Sequence, residues 1–516
     1  MSSIVIGKNI IELLTSGMYE NPFFMYREYV QNSVDQIDKA VDTGVLSDRK
    51  EGHILIKIDA DDKSIEIADN ATGVSCIDSW NVLTSIAASE KDRRIHRGFR
   101  GIGRLGGLAY CKELVFETSF AGEPKKTIIT WDAKKLRTII ANQSNRQQAH
   151  EVTKDIITFD NDVKEEASEH YFKVILRGVS SPKLLEVKDV RDYLSMVAPV
   201  PIDNKFILKG SVYKGFIAKN IYIDEYNIYV NHEQLYKKYN STIYEIVNTH
   251  KKKVDDIFDI QFIDIKNGNE QLAYGWYGVT NLLRTLPSCN LARGVRLRKG
   301  NIQVGDSNTL RRFFKDSRFH HYFVGEIHVL SPSIIPNGRR DYFDENDALS
   351  HFESEIAQFV NTELHKLTRD TSDIHSSVKM LDTYKELQEQ FQEKIETHGF
   401  VSKTEFNEFQ EKLDKSKEKA DKAIRTLDKI EEKARDNTVL GKILKRSVDD
   451  DKRSISTTEK ADSSNGKVKV KWQTEKLSRL SKKEQKLVSE VYEVIRTVLP
   501  PDLAQNVINK ISDKLK

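Results

Sequence analysis

From Ile374 onward, apolar side chains recur every seven residues, and that spacing commits this part of the chain to long helices. Ile374, Leu381 and Ile395 lie on one seam, with Tyr384 and Phe391 on its neighbour. The pattern breaks at His398-Gly399 and restarts through Phe406, Leu413, Ala420, Leu427 and Ala434, with Phe409, Ala423 and Ile430 filling a second seam. Two arms separated by a glycine satisfy a coiled-coil hairpin, a dimer stalk, or a long helix packed on its own protein. Small alanines and the polar Gln388 and Ser416 weaken the seam, so spacing alone leaves these open. The stretch SVDDDKRSISTTEKADSSNGK has the composition of a linker, and the region from Trp472 reads as small helices broken at Pro500-Pro501.

The first 350 residues follow different periods. HILIKIDADDKSIEIADN reads as two strands joined at Asp61-Asp62-Lys63, and CKELVFETSF and YFKVILRG read as further strands. Helical patterns alternate with them, which gives an α/β (α+β) class with helices on one face of a mixed or antiparallel sheet. NIYIDEYNIYVN, DIQFIDIK, LAYGWYGV and RGVRLRKGNIQVGD supply strands for a second α/β domain, while the polar segment from Ala141 to Glu169 reads as an inserted loop. A chain of 516 residues exceeds one core, and the expected division is 1–187, 188–350, a helical region 351–445, a linker 446–470 and a terminal helical region 471–516. The formal net charge of +3 does not itself argue for nucleic acid. No run of eighteen apolar residues and no secretion signal is read, so the expectation is a cytoplasmic protein without a membrane partner. Cys76, Cys111 and Cys289 lie far apart without a CxxC pair, which suits reduced thiols better than a disulfide framework or zinc site.

Three short segments carry residues suited to chemistry. In FMYREYVQNSVDQIDKA, Glu28, Asn32 and Asp35 share one helical face, opposite an apolar stripe of Tyr26, Val30, Val34, Ile37 and Val41. A carboxylate can take a proton from an attacking water and an amide oxygen can complete a magnesium shell, although a solvated face carries the same trio. In IEIADNATGVS, Asp69 closes a strand before a turn containing Gly73; it suits either acceptance of an exocyclic amine or an Asx turn. In HRGFRGIGRLGGLAY, glycines precede an apolar helix, where backbone can approach phosphate closely. That loop is neither a P-loop nor a dinucleotide fingerprint, because no GK[ST] follows and no clean strand precedes it.

The order of these segments discriminates. Helix with Glu and Asn, strand-end Asp with Gly, then a glycine loop resembles the arrangement of the GHKL ATPases. LLTSGMYENPFFMYREYVQNSVDQIDKA is similar to the opening helices of the 90-kDa heat-shock chaperones, VLTSIAASE to the start of their lid and YFKVILRG to their closing strand. The resemblance implies an N-terminal Bergerat-type ATP-binding sandwich. Glu28 is then the general base, Asn32 the magnesium ligand and Asp69 the acceptor for the adenine amino group, with Asp35 and Gly73 supporting the adenine end. Gly98, Gly101, Ile102 and Gly103 hold the phosphates beneath a lid spanning roughly Cys76 to Leu108. Ala71 stands where the family has the first Gly of Asp-x-Gly-x-Gly, and Phe172 where it has a Thr. More loosely, VGEIHVLSPSIIPNGRRDYFDEN is similar to the middle segment that delivers an arginine to the terminal phosphate, with Arg340 the closer match and Arg339 beside it. The likeness covers about 1–345 and stops before the helical region.

The implied function is a Mg2+- and ATP-dependent clamp of the chaperone type acting on a protein partner or client. Self-association is expected through the helical region or by ATP-dependent N-terminal contact. Two alternatives remain open on sequence. One is a clamp on DNA like those of MutL and the MORC ATPases, which needs the basic segments HKKK, RLRK and KILKR to share a face. The other is a nucleotide-sensing scaffold with little turnover.

Overall fold

The structure is a computed structural model that describes residues 6–15, 21–86, 103–142, 144–397, 399–448 and 472–516. The chain forms two compact units: residues 1–280 with 284–365, and residues 281–283 with 366–516.

In the first unit, eight strands form one sheet: β1 (His53–Asp59), β2 (Ser64–Asp69), β3 (Glu113–Ser119), β4 (Lys125–Asp132), β5 (Ile157–Lys164), β6 (Tyr171–Arg177), β7 (Asn227–Val230) and β8 (Glu233–Gln234). Their spatial order is β5-β4-β3-β6-β2-β1-β7-β8. Every neighbouring pair is antiparallel except β1 with β7, so the sheet is mixed, and its last two strands come from beyond residue 188. The β1–β2 hairpin turns at Lys63, whose left-handed φ of 50° lets the two strands pair in the register Ile56↔Ile67. That register puts Ile54, Ile56, Ile65 and Ile67 in the core.

Among the described residues, seven α-helices belong to this part: α1 (Asn9–Thr15), α2 (Phe24–Asp42), α3 (Ser79–Thr84), α4 (Ala133–Ala141), α5 (Ala149–Ile156), α6 (Pro182–Leu185) and α7 (Val187–Val197). Tyr26, Val30, Val34 and Ile37 of α2 join the strand isoleucines, Leu114 and Trp131 in one apolar cluster, with Val41 half-buried against it. The expected loop between 141 and 169 is corrected: it contains α5, started by a Gln148–Glu151 capping box, and β5. β5 is an edge strand in which Ile157, Phe159 and Val163 are half-buried, and the polar run Asp160-Asn161-Asp162 breaks the alternation by which a half-buried strand is recognised.

The same unit continues with α8 (Lys209–Ile217), the hairpin β9 (Thr242–Val247) and β10 (His250–Asp256), and a second sheet. That sheet holds β11 (Asp259–Asn267), β12 (Glu270–Val279), β13 (Gly294–Lys299), β14 (Ile302–Val304) and β15 (Val324–Val329), in the order β11-β12-β15-β13-β14. α9 (Asp347–Phe359) comes next, capped by the Asn346 side chain.

A buried ionic hub ties this sheet to the chain leaving the first one. The Glu326 carboxylate accepts from Arg298 Nε at 2.6 Å, the Tyr239 hydroxyl at 2.8 Å and Lys237 Nζ at 2.9 Å, and lies 3.0 Å from His328 Nε2. Arg298 also donates to the carbonyl of Met196, at the end of α7. Burial disfavours the Glu326 anion, but the Arg298 and Lys237 charges outweigh it and hold the carboxyl well below its usual range. Burial, with Arg298 adding, pulls Lys237 down to about 8. The hub has a functional consequence as well. RLRK, one of the three basic segments a DNA reading needs, spans 296–299 and is largely interior, with Arg298 fully buried.

The second unit contains α10 (His365–Glu396), α11 (Lys403–Asp436), α12 (Thr438–Ser447), α13 (Lys482–Val498) and α14 (Pro501–Leu515). Leu381 and Tyr384 of α10 pack on Ala420 and Ala423 of α11. Lys433 reaches Asp370 at 2.6 Å and Lys394 reaches Glu405 at 2.6 Å, so the arms run antiparallel as a hairpin. Among the described residues no helix is long and apolar enough to cross a membrane.

Removing the hub's central carboxylate leaves several cationic groups buried together. Glu326→Ala is expected to lower the free energy of unfolding by about 3–5 kcal/mol. Denaturant titration of the variant against wild type measures this, and a loss below about 1 kcal/mol would show that the hub is not holding the joint.

Candidate nucleotide site

α2 is enclosed on both faces. Glu28 is 8% exposed and Asp35 5%, with Asn32 half-buried between them, so the polar face is not the solvated one that sequence left open. A buried carboxylate needs partners. Arg27, 2% exposed, donates to Glu28 Oε1 at 3.2 Å and also to the carbonyl of Arg339 at 3.0 Å. Its guanidinium lies 4.3 Å from the centre of the Phe24 ring, one turn back on the same helix.

The glycine segment meets this carboxylate at its end. The 3-10 turn Gly103–Ala109 begins so close to α2 that a Cβ at Gly103 would lie 2.6 Å from Glu28 Oε2. Tyr29 fixes the turn by donating to the carbonyl of Arg104 at 3.0 Å and accepting from the Gly107 N–H at 3.0 Å. Gly98, Gly101 and Ile102 lie outside the described residues.

Asp69 ends β2 opposite Phe172 of β6 and is 3% exposed. One carboxylate oxygen accepts from the Ala71 N–H at 3.2 Å, and the Ser33 side chain of α2 also hydrogen-bonds the carboxylate. The other oxygen, Oδ2, is buried without a partner among the described residues. Burial pushes the Asp69 carboxyl up to about 7, against the lowering effect of these two hydrogen bonds. Ala71 takes the position of the family's glycine without opening the turn, since its N–H still reaches Asp69 and its carbonyl lies 2.9 Å from His170 Nδ1. Gly73 has a φ of +67°, and a Cβ there would sit 1.9 Å from the Ser119 carbonyl oxygen, so only glycine fits. Phe172 stacks on Phe116, with ring centroids 5.9 Å apart.

The two arginines are placed differently. Arg340 is buried with a φ of +53°, its N–H bonded to the Asn337 carbonyl and its own carbonyl to the Gly305 N–H. Arg339 extends an exposed side chain, while its carbonyl takes the bond from Arg27. The structure thus brings Glu28, Gly103 and the Arg339 backbone together, and joins Asp69 to α2 through Ser33. Sequence reasoning passed over Arg27 and Ser33, which are off the face defined by Glu28, Asn32 and Asp35 and acquire roles only from their tertiary partners.

The residues fit a nucleotide and a hard cation. An unfilled carboxylate acceptor at the bottom of a glycine turn suits an exocyclic amine, and the Asn32 amide oxygen is the donor type magnesium takes alongside phosphate oxygens. No family model matches the chain. Over part of its length it is similar to bacterial chaperone proteins HtpG. It is 29% identical over 140 residues to that of Psychrobacter cryohalolentis, covering 24% of this chain and 21% of the relative. For the protein of Idiomarina loihiensis the identity is 31% over 142 residues, covering 24% and 22%. For that of Clostridium acetobutylicum it is 28% over 119 residues, covering 21% and 19%. The chain spans about a fifth of the length of the curated relatives it matches.

The Asp69 carboxyl holds its proton more tightly in the fold than in the unfolded chain, where the ordinary value is 3.8. Its ionisation therefore costs stability progressively as pH rises from about 4 through about 7. Asp69→Asn removes that cost, so the variant should melt several degrees above wild type at pH 8, with the gap closing near pH 4. Melting curves across pH check this; an Asp69→Asn variant no more stable than wild type at pH 8 would remove the burial argument.

Proposed function

We propose that the chain is an ATP-dependent conformational ATPase of the heat-shock-chaperone type, acting on a protein partner. The observation that carries this reading is Glu28: a nearly buried carboxylate set against Gly103 and linked through Arg27 to the Arg339 backbone. In the proposed site, Asp69 Oδ2 accepts the adenine amino group and the tight turn at Gly73 shapes the adenine end, with Asp35 behind it. Asn32 holds magnesium, which neutralises phosphate charge when bound. The loop ending at Gly103, with Gly98, Gly101 and Ile102 upstream, receives the phosphates on backbone N–H groups.

Water attacks the terminal phosphoryl group, its proton passes to Glu28, and the bond to the departing ADP breaks. Arg339 and Arg340 are the candidate cations for the charge that develops on the transferred group. Arg27 restrains Glu28 by pairing with it, and the same guanidinium senses the 337–341 loop. Movement of that loop therefore changes the environment of the base, which is how turnover becomes coupled to domain rearrangement. The burial of RLRK counts against a DNA clamp built on a shared basic face.

Glu28→Ala is expected to bind ATP but to lose turnover by about 10²–10⁴-fold, whereas Asp69→Asn loses nucleotide binding. Phosphate release and calorimetry separate the two. Absence of hydrolysis by wild type, or normal hydrolysis by Glu28→Ala, ends the proposal. Unfolded protein and DNA added in separate arms identify the stimulating partner. Because Oδ2 can accept the amino group only while it carries no proton, ADP affinity should also fall as pH drops below about 7. A flat affinity profile between pH 8 and pH 6 would place adenine elsewhere.

A further inference from the structure

A cleft of about 560 Å³ opens between the start of α2 and the end of α7 on one wall and the turns after β14 and around Arg339 on the other. Glu28, Asn32 and Asp69 are not among its lining residues. Its volume lies within the range of small-molecule sites.

The charges around it are unusual. Arg296 is 7% exposed, yet its guanidinium donates only to neutral acceptors, Gln303 Oε1 at 2.7 Å and the Leu291 carbonyl. Among the described residues it has no carboxylate at ion-pair distance, and burial lowers its pKa against the smaller opposing effects of Tyr239, Glu326 and Asp306. A guanidinium taken out of water without a counter-ion is costly unless something supplies the opposite charge. Arg339, on the same cleft, likewise has no carboxylate partner among the described residues. Two solvent-exposed carboxylates lie on the same lining. Asp341 accepts from the Asn337 side-chain amide at 2.6 Å, and Asp306 from the Asn308 N–H at 2.7 Å, both neutral donors. The third lining carboxylate, Asp192, is already matched by Lys238. Phe24, Tyr193, Met196 and Val197 supply apolar surface between these charges.

We infer that this cleft binds a small zwitterion with an apolar body, an aromatic or branched α-amino acid or a dipeptide of that kind. Its carboxylate meets Arg296 and Arg339, its ammonium meets Asp306 and Asp341, and its side chain covers the Phe24 and Tyr193 surface. With Asp192 matched by Lys238, two charges of each sign remain on the lining, so a ligand with one charge leaves one pair unmet. The ligand also spans the two walls, and the Phe24 ring it covers is the one beneath the Arg27 guanidinium.

The test is calorimetry on the full chain without nucleotide, using phenylalanine, leucyl-phenylalanine, 3-phenylpropionate and phenethylamine. The second zwitterion distinguishes a free amino acid from a peptide, and the last two probes each delete one charge from the same ring and chain. At least one of the two zwitterions should bind saturably at about 1 mM or tighter, with each single-charge probe weaker by about tenfold. Arg339→Gln and Asp306→Asn should each weaken that zwitterion by about tenfold, Ser307→Trp should obstruct it, and Asp69→Asn should leave it unchanged. Circular dichroism and melting confirm that each variant is folded. The inference is overturned if neither zwitterion binds by about 10 mM, if a single-charge probe binds as well, or if binding survives both Arg339→Gln and Ser307→Trp.

Discussion

Enclosure of α2 is the constraint on which the rest of the first unit depends. A helix with apolar residues on one face and Glu28, Asn32 and Asp35 on the other would ordinarily lie at a surface, where its polar side is hydrated. Here the 3-10 turn, the end of β2 and the loop at Arg339 cover that side, and each supplies or receives a specific hydrogen bond. The consequence is a set of polar groups held in fixed positions by neighbours that cannot retreat without exposing the apolar cluster beneath. Burial pushes the Asp69 carboxyl up to about 7 because its position is set by the strand end and not by solvent.

The hub around Glu326 performs a comparable task between the end of α7 and the second sheet. A buried ionic group is weak evidence for stability, since an apolar replacement of the same shape can be as stable. What it does supply is directionality. Arg298 must meet both Glu326 and the Met196 carbonyl, and Lys237 must meet both Glu326 and Asn301, which fixes how the chain from α7 to β8 sits on the second sheet. Misalignment by one residue would strand several charges at once.

Much of the fold was legible because period and turn chemistry agree. The strands around Asp61-Asp62-Lys63 and the two long helical arms come directly from alternation and from heptad spacing. β5 was not legible, because the polar run Asp160-Asn161-Asp162 interrupts the alternation that Ile157 and Phe159 begin. Glu28, Asp69 and Gly73 stand out as candidates by residue type and order, and the structure buries the two carboxylates and leaves room only for glycine at position 73. Arg27 and Ser33 were not legible, because nothing about an arginine beside a glutamate, or a serine beside an asparagine, foretells a carbonyl 312 positions away or a carboxylate on another strand. Whether RLRK could join a basic face was open on sequence for a related reason: alternation in a strand flanked on both sides cannot tell a solvated basic residue from one with a buried counter-ion.

The path of the chain through the first sheet has a practical meaning. After β6 it leaves, builds α7 and α8, and only then returns to lay β7 alongside β1. A fragment ending where sequence similarity to a stand-alone ATP domain would suggest cutting it, near 187, would expose the whole hydrogen-bonding edge of β1. Bare strand edges recruit other strands. The half that carries the candidate site is therefore stitched into the residues beyond 188, and its resistance to aggregation belongs to the longer unit and not to the piece that carries the motifs.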